Sequence, residues 1–298
     1  MGPGESRQSS GGNALNRLAV VTDSTCDLDR EEAKKNGISI VPLYVTHRES
    51  VYRDTIDITS SEFYPLLKDR DELPKTSQPS PEDFARVYRE ILNSANEIIS
   101  IHISGGLSST VEAARRAAES VGPGRIHVVD SKFLTFAMSF QALEAVSLAI
   151  KGIPTHQILS LLTQLREKTE MLFTLDTMEY LHRGGRIGKV KSLMGTILGI
   201  KPVVRVEDGV YIPHGKARSL RQALGSMVEF LGRKFGRQKV IAAVGHGQGA
   251  EYAAKLTDMV KKTLNLAGEP YRFEVGPVIG VHTGPGTIGL AVRPAKYC

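Results

Sequence analysis

With 298 residues, 41% hydrophobic and 23% charged, the chain has room for two domains of ordinary size, and its composition excludes a disordered or fibrous protein. No uncharged apolar run approaches the roughly eighteen residues of a membrane span, so stable membrane insertion is not expected. The net charge of +6 is a mild basic excess. It is spread along the chain except between residues 183 and 191, without interleaved aromatics, and gives a nucleic-acid partner little support.

Residues 1–16 are rich in Gly, Ser and Asn and read as a disordered leader. Leu18-Ala-Val-Val-Thr-Asp23 predicts the first strand. Asp23, Ser24 and Thr25 fall at its carboxyl end, where open α/β sheets place ligands and where the same residue types also hold turns. Asp29 with Glu32 predicts a capped helix ending at Gly37. Residues 38–45 predict a second strand, residues 51–56 a short extended piece, and Thr59-x-x-Glu62 the start of a helix over Phe63 and Leu67. Prolines 74, 79 and 81 predict a stiff loop that presents the hydroxyls of Thr76 and Ser77 with little entropy left to lose. Ser80 caps the helix that follows.

Glu97-Ile-Ile-Ser-Ile-His-Ile-Ser-Gly-Gly-Leu-Ser-Ser-Thr110 joins a β-branched run, the pattern of a buried strand, to a Gly/Ser turn and a run of strong helix formers. The turn is either a seat for an anionic group, facing unpaired N–H groups and a helix dipole, or a tight turn capped by Ser108 or Thr110. In this turn no Lys follows the glycines and they do not form a Gly-x-Gly-x-x-Gly, so it is not one of the common nucleotide loops. Residues 125–129 add a strand. A helix over 133–150, with Glu144 its only charge, is apolar nearly all round and predicts burial. Thr155 caps an amphipathic helix, and a domain boundary follows it.

Strands at 171–175, 201–206, 210–212, 240–244, 272–279 and 287–292 mix with helices at 220–235 and 251–264, and Glu207-Asp-Gly209 makes a hairpin turn. The expected fold is α/β in two domains: a parallel-sheet α/β domain over 17–168 and an α+β domain over 169–298. Cys26 and Cys298 give no metal spacing, and with no signal peptide they point to a reducing, cytoplasmic setting.

Four stretches in order, Asp23-Ser-Thr, Thr76-Ser-Gln-Pro-Ser80, Ser104-Gly-Gly-Leu-Ser-Ser-Thr110 and His282-Thr-Gly-Pro-Gly286, together resemble the DegV family of bacterial fatty-acid-binding proteins. Leu181-His-Arg-Gly-Gly-Arg-Ile187, Lys201-Pro-Val, Asp208-Gly209 and Lys216-Ala-Arg-Ser219 fit the same order. The family commonly reads Ser-Ser-Gly-Leu-Ser-Gly-Thr in the loop; here Gly105 replaces a serine and Ser109 a glycine.

The resemblance implies a long-chain fatty acid with its acyl chain in a tunnel and its carboxyl group held by Thr76 and Ser104, with Ser77 and Ser108 behind them, beside His282 and Thr283. It implies no cofactor and no metal. It also implies a separate ATP-dependent kinase subunit that phosphorylates the carried acid, with Arg186, Arg218 and His282 on the transfer face. The protein is then no enzyme by itself. The competing reading is a hydrolase in which Ser108 or Ser104 pairs with His282 and Asp23. It needs nucleophile and base within hydrogen-bonding distance, and its Gly106-Leu-Ser108 turn lacks the second glycine of a nucleophile elbow.

Overall fold

The computed structural model describes residues 18–69, 72–193 and 199–296; the expected leader and Cys298 lie outside them. In chain order the first strands are β1 (Leu18–Asp23), β2 (Ile38–Val41), β3 (Tyr44–His47), β4 (Ser50–Arg53), β5 (Lys75–Ser77), β6 (Glu97–His102) and β7 (Ile126–Asp130). They are followed by β8 (Glu170–Thr174), β9 (Lys201–Glu207), β10 (Val210–Ala217), β11 (Val240–His246), β12 (Tyr271–Glu274) and β13 (Ile288–Pro294).

The order β2-β1-β6-β7 makes a parallel sheet, with helices on both faces as the strand–helix alternation predicts. Alternate residues of its central strands serve different layers. Val21 and Ile98 pack with Phe84, Tyr88 and Ala114 of helices Pro81–Leu92 and Thr110–Val121. Val20, Ile99 and Ile101 face the helix Thr135–Ile150. A second sheet runs β10-β9-β8-β13-β11-β12, antiparallel except for the β11–β12 pair. Its other face is covered by the helices Leu220–Phe235 and Ala250–Thr263.

The helix Thr135–Ile150 lies between the two sheets, touching β1 and β6 on one side and β11 and β13 on the other. That position is why its sequence is apolar all round. Its one charge, Glu144, pairs across this layer with Arg293 of β13 at 3.0 Å. The expected boundary falls where the helix Thr155–Lys168 gives way to β8. One apolar cluster crosses it, joining Val20, Ile99 and Phe136 to Phe173, Val204 and Ile279.

Three expectations need correction. The strand predicted over 38–45 is two strands, because Pro42 has no N–H for a ladder and the chain turns there. Its second half, β3, leaves the parallel sheet for a small antiparallel one, β4-β3-β5. The proline-rich stretch is not all loop, since residues 75–77 form β5 and pair Thr76 with Val45. The strand predicted over 272–279 stops at Glu274, and Pro277–Thr283 is a helix. Pro277 stands in its first turn, where a missing N–H is harmless and φ is already helical.

Candidate functional site

Two of these corrections build the site. β5 fixes Thr76, and the helix Pro277–Thr283 carries His282 in its last turn, so that Thr76 Oγ1 and His282 Nε2 lie 2.8 Å apart. Burial pulls the His282 pKa down to about 4, and the positive charge of Arg186 adds to the effect. The ring is therefore neutral near pH 7. Its Nδ1 is buried without a hydrogen-bond partner and lies against Gly184, where a Cβ would overlap it.

Thr76, Ser77, Ser108, Arg186, Tyr211 and His282 line a cavity of about 30 Å3. Arg186 is tied there by backbone carbonyls, its Nε donating to Leu107 O at 3.2 Å and a terminal nitrogen to Gly184 O at 2.8 Å. The Ser108 hydroxyl is 2.8 Å from that of Thr110. Tyr211 and Ile279 also line a second, inner cavity of about 20 Å3, walled by apolar side chains including Met171, Phe173 and Val275. The two cavities thus abut, one carrying hydroxyls and an arginine, the other apolar. A larger cavity of about 580 Å3 opens at the amino ends of the parallel strands, by Leu18 and Gly37. No ionisable side chain lines it, and it lies at the opposite end of the sheet from these motifs.

The expected residues are not all brought together. Ser104 is fully buried and lines neither cavity; its hydroxyl donates to Gly209 O at 2.7 Å and accepts from Gly106 N–H at 3.1 Å. Asp208 and Gly209, with φ of 49° and 81°, form the tight turn of the β9–β10 hairpin. A Cβ on Gly106 would meet Gly209 O at 2.6 Å. Of the two roles open to this loop, its glycines serve close approach, but of the hairpin's backbone. Thr283 lines the inner cavity, its hydroxyl donating to Ile279 O at 3.1 Å. Arg218 is exposed beyond β10 and touches neither cavity.

The hydrolase triad is not assembled. Asp23 Oδ2 is 3.0 Å from His102 Nδ1, His102 Nε2 is 2.7 Å from Ser100 Oγ, and Ser100 Oγ is 2.8 Å from the Tyr88 hydroxyl. All four residues are 0% exposed, so this relay braces the core and reaches no substrate. Sequence reasoning missed Ser100 and His102, although two polar residues spaced by two in an isoleucine strand were the available signal. It also missed Tyr211, which alternation presents as an ordinary core aromatic. Among the described residues, no group of His, Cys, Asp and Glu could hold a metal ion. No helix there is long and apolar enough to cross a membrane.

The chain is similar to known proteins over nearly its whole length. The family model described as "Uncharacterised protein, DegV family" matches residues 17–295. A DegV domain-containing protein of Deinococcus radiodurans is 36% identical over 283 residues, covering 93% of this chain and 98% of the relative. A fatty-acid-binding DegV family protein of Thermus thermophilus superposes with a TM-score of 0.89 at 37% identity, over 93% of this chain and 99% of that one. DegV of Bacillus subtilis, described as a fatty acid binding protein, gives 0.84 at 30% identity, again over 93% and 99%. A stearic-acid-binding protein of Eubacterium ventriosum gives 0.82 at 30% identity, over 93% and 98%. With a family match and relatives of this identity spanning nearly all of it, the chain belongs to the DegV family.

Proposed function

We propose that this protein binds one long-chain fatty acid and presents its carboxyl group to a separate ATP-dependent kinase subunit, which forms the acyl phosphate. The carboxyl group sits at the junction of the domains 17–168 and 169–298, held by the hydroxyls of Thr76, Ser77 and Ser108 beside His282. The acyl chain runs inward past Tyr211 and Ile279. On this reading the protein works in the cytoplasm, takes no cofactor beyond the acid, has no nucleic-acid partner and catalyses nothing alone. The solved relatives described as fatty acid binding support the ligand class.

One observation carries the reading. The Thr76–His282 hydrogen bond stands beside a cavity that continues, through Tyr211 and Ile279, into an apolar one. A neutral imidazole can donate from Nε2 to Thr76 Oγ1, which frees the threonine hydroxyl to donate to a carboxylate. Burying fifteen or so methylenes at about 0.8 kcal/mol each contributes roughly 12 kcal/mol before the cost of association. The cavities, about 30 and 20 Å3, are far below the roughly 300 Å3 of a small-ligand site. Entry of the chain therefore displaces Tyr211, Ile279 and the adaptable Met171.

The test is mass spectrometry of lipid released from natively purified protein, followed by titration with added fatty acid. A stoichiometric acyl lipid is expected. Protein that carries none and binds none refutes the proposal.

A further inference from the structure

The inner cavity has a far end at Phe273. Phe273 lines both the inner cavity and a separate outer cleft of about 460 Å3, whose wall includes Asp29, Arg30 and Arg272. Phe136, also on the cleft, stacks on Phe273 with centroids 5.4 Å apart and planes 28° apart. Tyr271 packs on Phe136 at 4.7 Å. Three spaces thus follow one another, the first two sharing Tyr211 and Ile279 and the last two sharing Phe273. Gly245 faces Phe273 across the β11–β12 pair, and a Cβ there would overlap the phenyl ring, so the ring lies flat against bare backbone.

The residue before Phe136 adds an independent sign that this end is built for use. Thr135 has φ of 51°, a strained conformation for a β-branched residue, and it lines the inner cavity. It is 3% exposed, and its hydroxyl has no hydrogen-bond partner. Strain and orphaned polar atoms together gather where function constrains a chain.

We propose that the stacked Phe136–Phe273 pair is the stop that sets the longest acyl chain this protein accepts, by separating the acyl cavity from the outer cleft. The inference rests on the fatty-acid reading of the cavities. While a chain is still filling the cavity, each added methylene raises affinity about fourfold. Once its end meets the rings, further carbons must force them apart, and affinity breaks.

The experiment measures affinity for straight-chain saturated acids of about 12 to 24 carbons. It compares the unchanged protein with Phe273→Ala, Phe136→Ala, the milder Phe273→Leu and the outward-facing control Arg272→Ala. The break is expected to move to longer acids in both alanine variants, and in the same direction but less far in Phe273→Leu. An acid two carbons past the original break should gain roughly tenfold, while Arg272→Ala keeps the original break. A break that stays in place in folded Phe273→Ala or Phe273→Leu, or that moves equally in Arg272→Ala, overturns the stop. Failure of the unchanged protein to bind any acid overturns the fatty-acid reading, and the stop with it; binding with an unmoved break overturns the stop alone.

Discussion

Gly184 and His282 are fitted to one another: the imidazole Nδ1 stands where a side chain at position 184 would begin. The Gly-Gly pair of Leu181-His-Arg-Gly-Gly-Arg186 is thus explained in part by the histidine packed on it, a hundred residues downstream. Gly184→Ala is expected to push His282 away from Thr76. Losing that hydrogen bond costs about 1–3 kcal/mol, a fall in fatty acid affinity of roughly 5- to 150-fold. Gly185 provides the contrast. Its φ is +69° with nothing near a Cβ, so Gly185→Ala should cost about 1–2 kcal/mol of stability and leave affinity unchanged. Equal affinity in both variants refutes the packing argument.

The two hydroxyls expected at the head group separate in the structure, and so should their variants. Thr76→Ala removes a donor to a charged group and the partner of His282 Nε2, and is expected to lower the affinity of folded protein by about 1.5–3 kcal/mol. Ser104→Ala instead strands the buried Gly209 carbonyl. That should cost roughly 1–3 kcal/mol of folding stability and leave the affinity of folded protein nearly intact. The opposite pattern would return the carboxyl group to Ser104.

Local patterning made the frame of this molecule readable. The isoleucines of β6, the all-round apolar helix Thr135–Ile150 and the Asp208-Gly209 turn each encode their own structure within a few residues. The site was legible only through motif order, because its geometry comes from long-range placement. Thr76 reaches His282 through a strand pairing with Val45 and a helix that starts at Pro277. Nothing local marks residues 75–77 as a strand, and the helix after Gly276 is marked locally by little more than Pro277 at its start. Ser104 looked like a ligand residue because its partner, Gly209, lies 105 residues away. Tyr211 showed nothing but strand alternation, and its place between two cavities is a property of the fold.

His282 gives the site a pH dependence with a definite sign. An unfolded histidine titrates near 6.5, whereas burial, with Arg186 beside it, holds His282 down at about 4. Between these values the unfolded chain binds more protons, so this contribution to stability is lost as pH falls from 6.5 towards 4. The two and a half pH units between them set a ceiling of about 3 kcal/mol. Denaturation of the protein and of His282→Gln across this range should show the former losing stability relative to the latter, by up to that amount. A difference that is flat with pH contradicts a neutral, buried ring.

On the proposed function, transfer separates from binding at the arginines. Arg218 is exposed and lies outside both cavities, and Arg186 is exposed and bonded to backbone at the mouth. Arg218→Ala is expected to keep fatty acid affinity within about threefold yet reduce acyl phosphate formation with a cognate kinase and ATP by tenfold or more, as loss of a phosphate-facing guanidinium does. Arg186→Ala should reduce both. Unimpaired transfer in Arg218→Ala removes that residue from the kinase-facing surface.

A buried pair of acids holds the helix that carries His282. Asp54 accepts from the Ser24 hydroxyl at 2.6 Å and from Val278 N–H at 3.4 Å, and Asp27 accepts from Gly276 N–H at 3.0 Å. The start of the helix Pro277–Thr283 is thereby tied to the chain following β1. Burial pushes Asp54 up to about 7, and burial with the neighbouring Asp54 raises Asp27 well above the carboxylate range. With its folded pKa raised, Asp54 binds a proton that the unfolded chain releases above about 3.8. Its contribution is therefore full below that value and is lost as pH rises through 7. Three pH units set a ceiling on the order of 4 kcal/mol. Asp54→Asn keeps an acceptor for Val278 and has no charge to bury. The unchanged protein should lose stability relative to Asp54→Asn between pH 4 and 7.5 and run parallel to it above. Parallel stability curves through the whole range would show that Asp54 is ionised in the folded protein, and the clamp would then have to be held by charge.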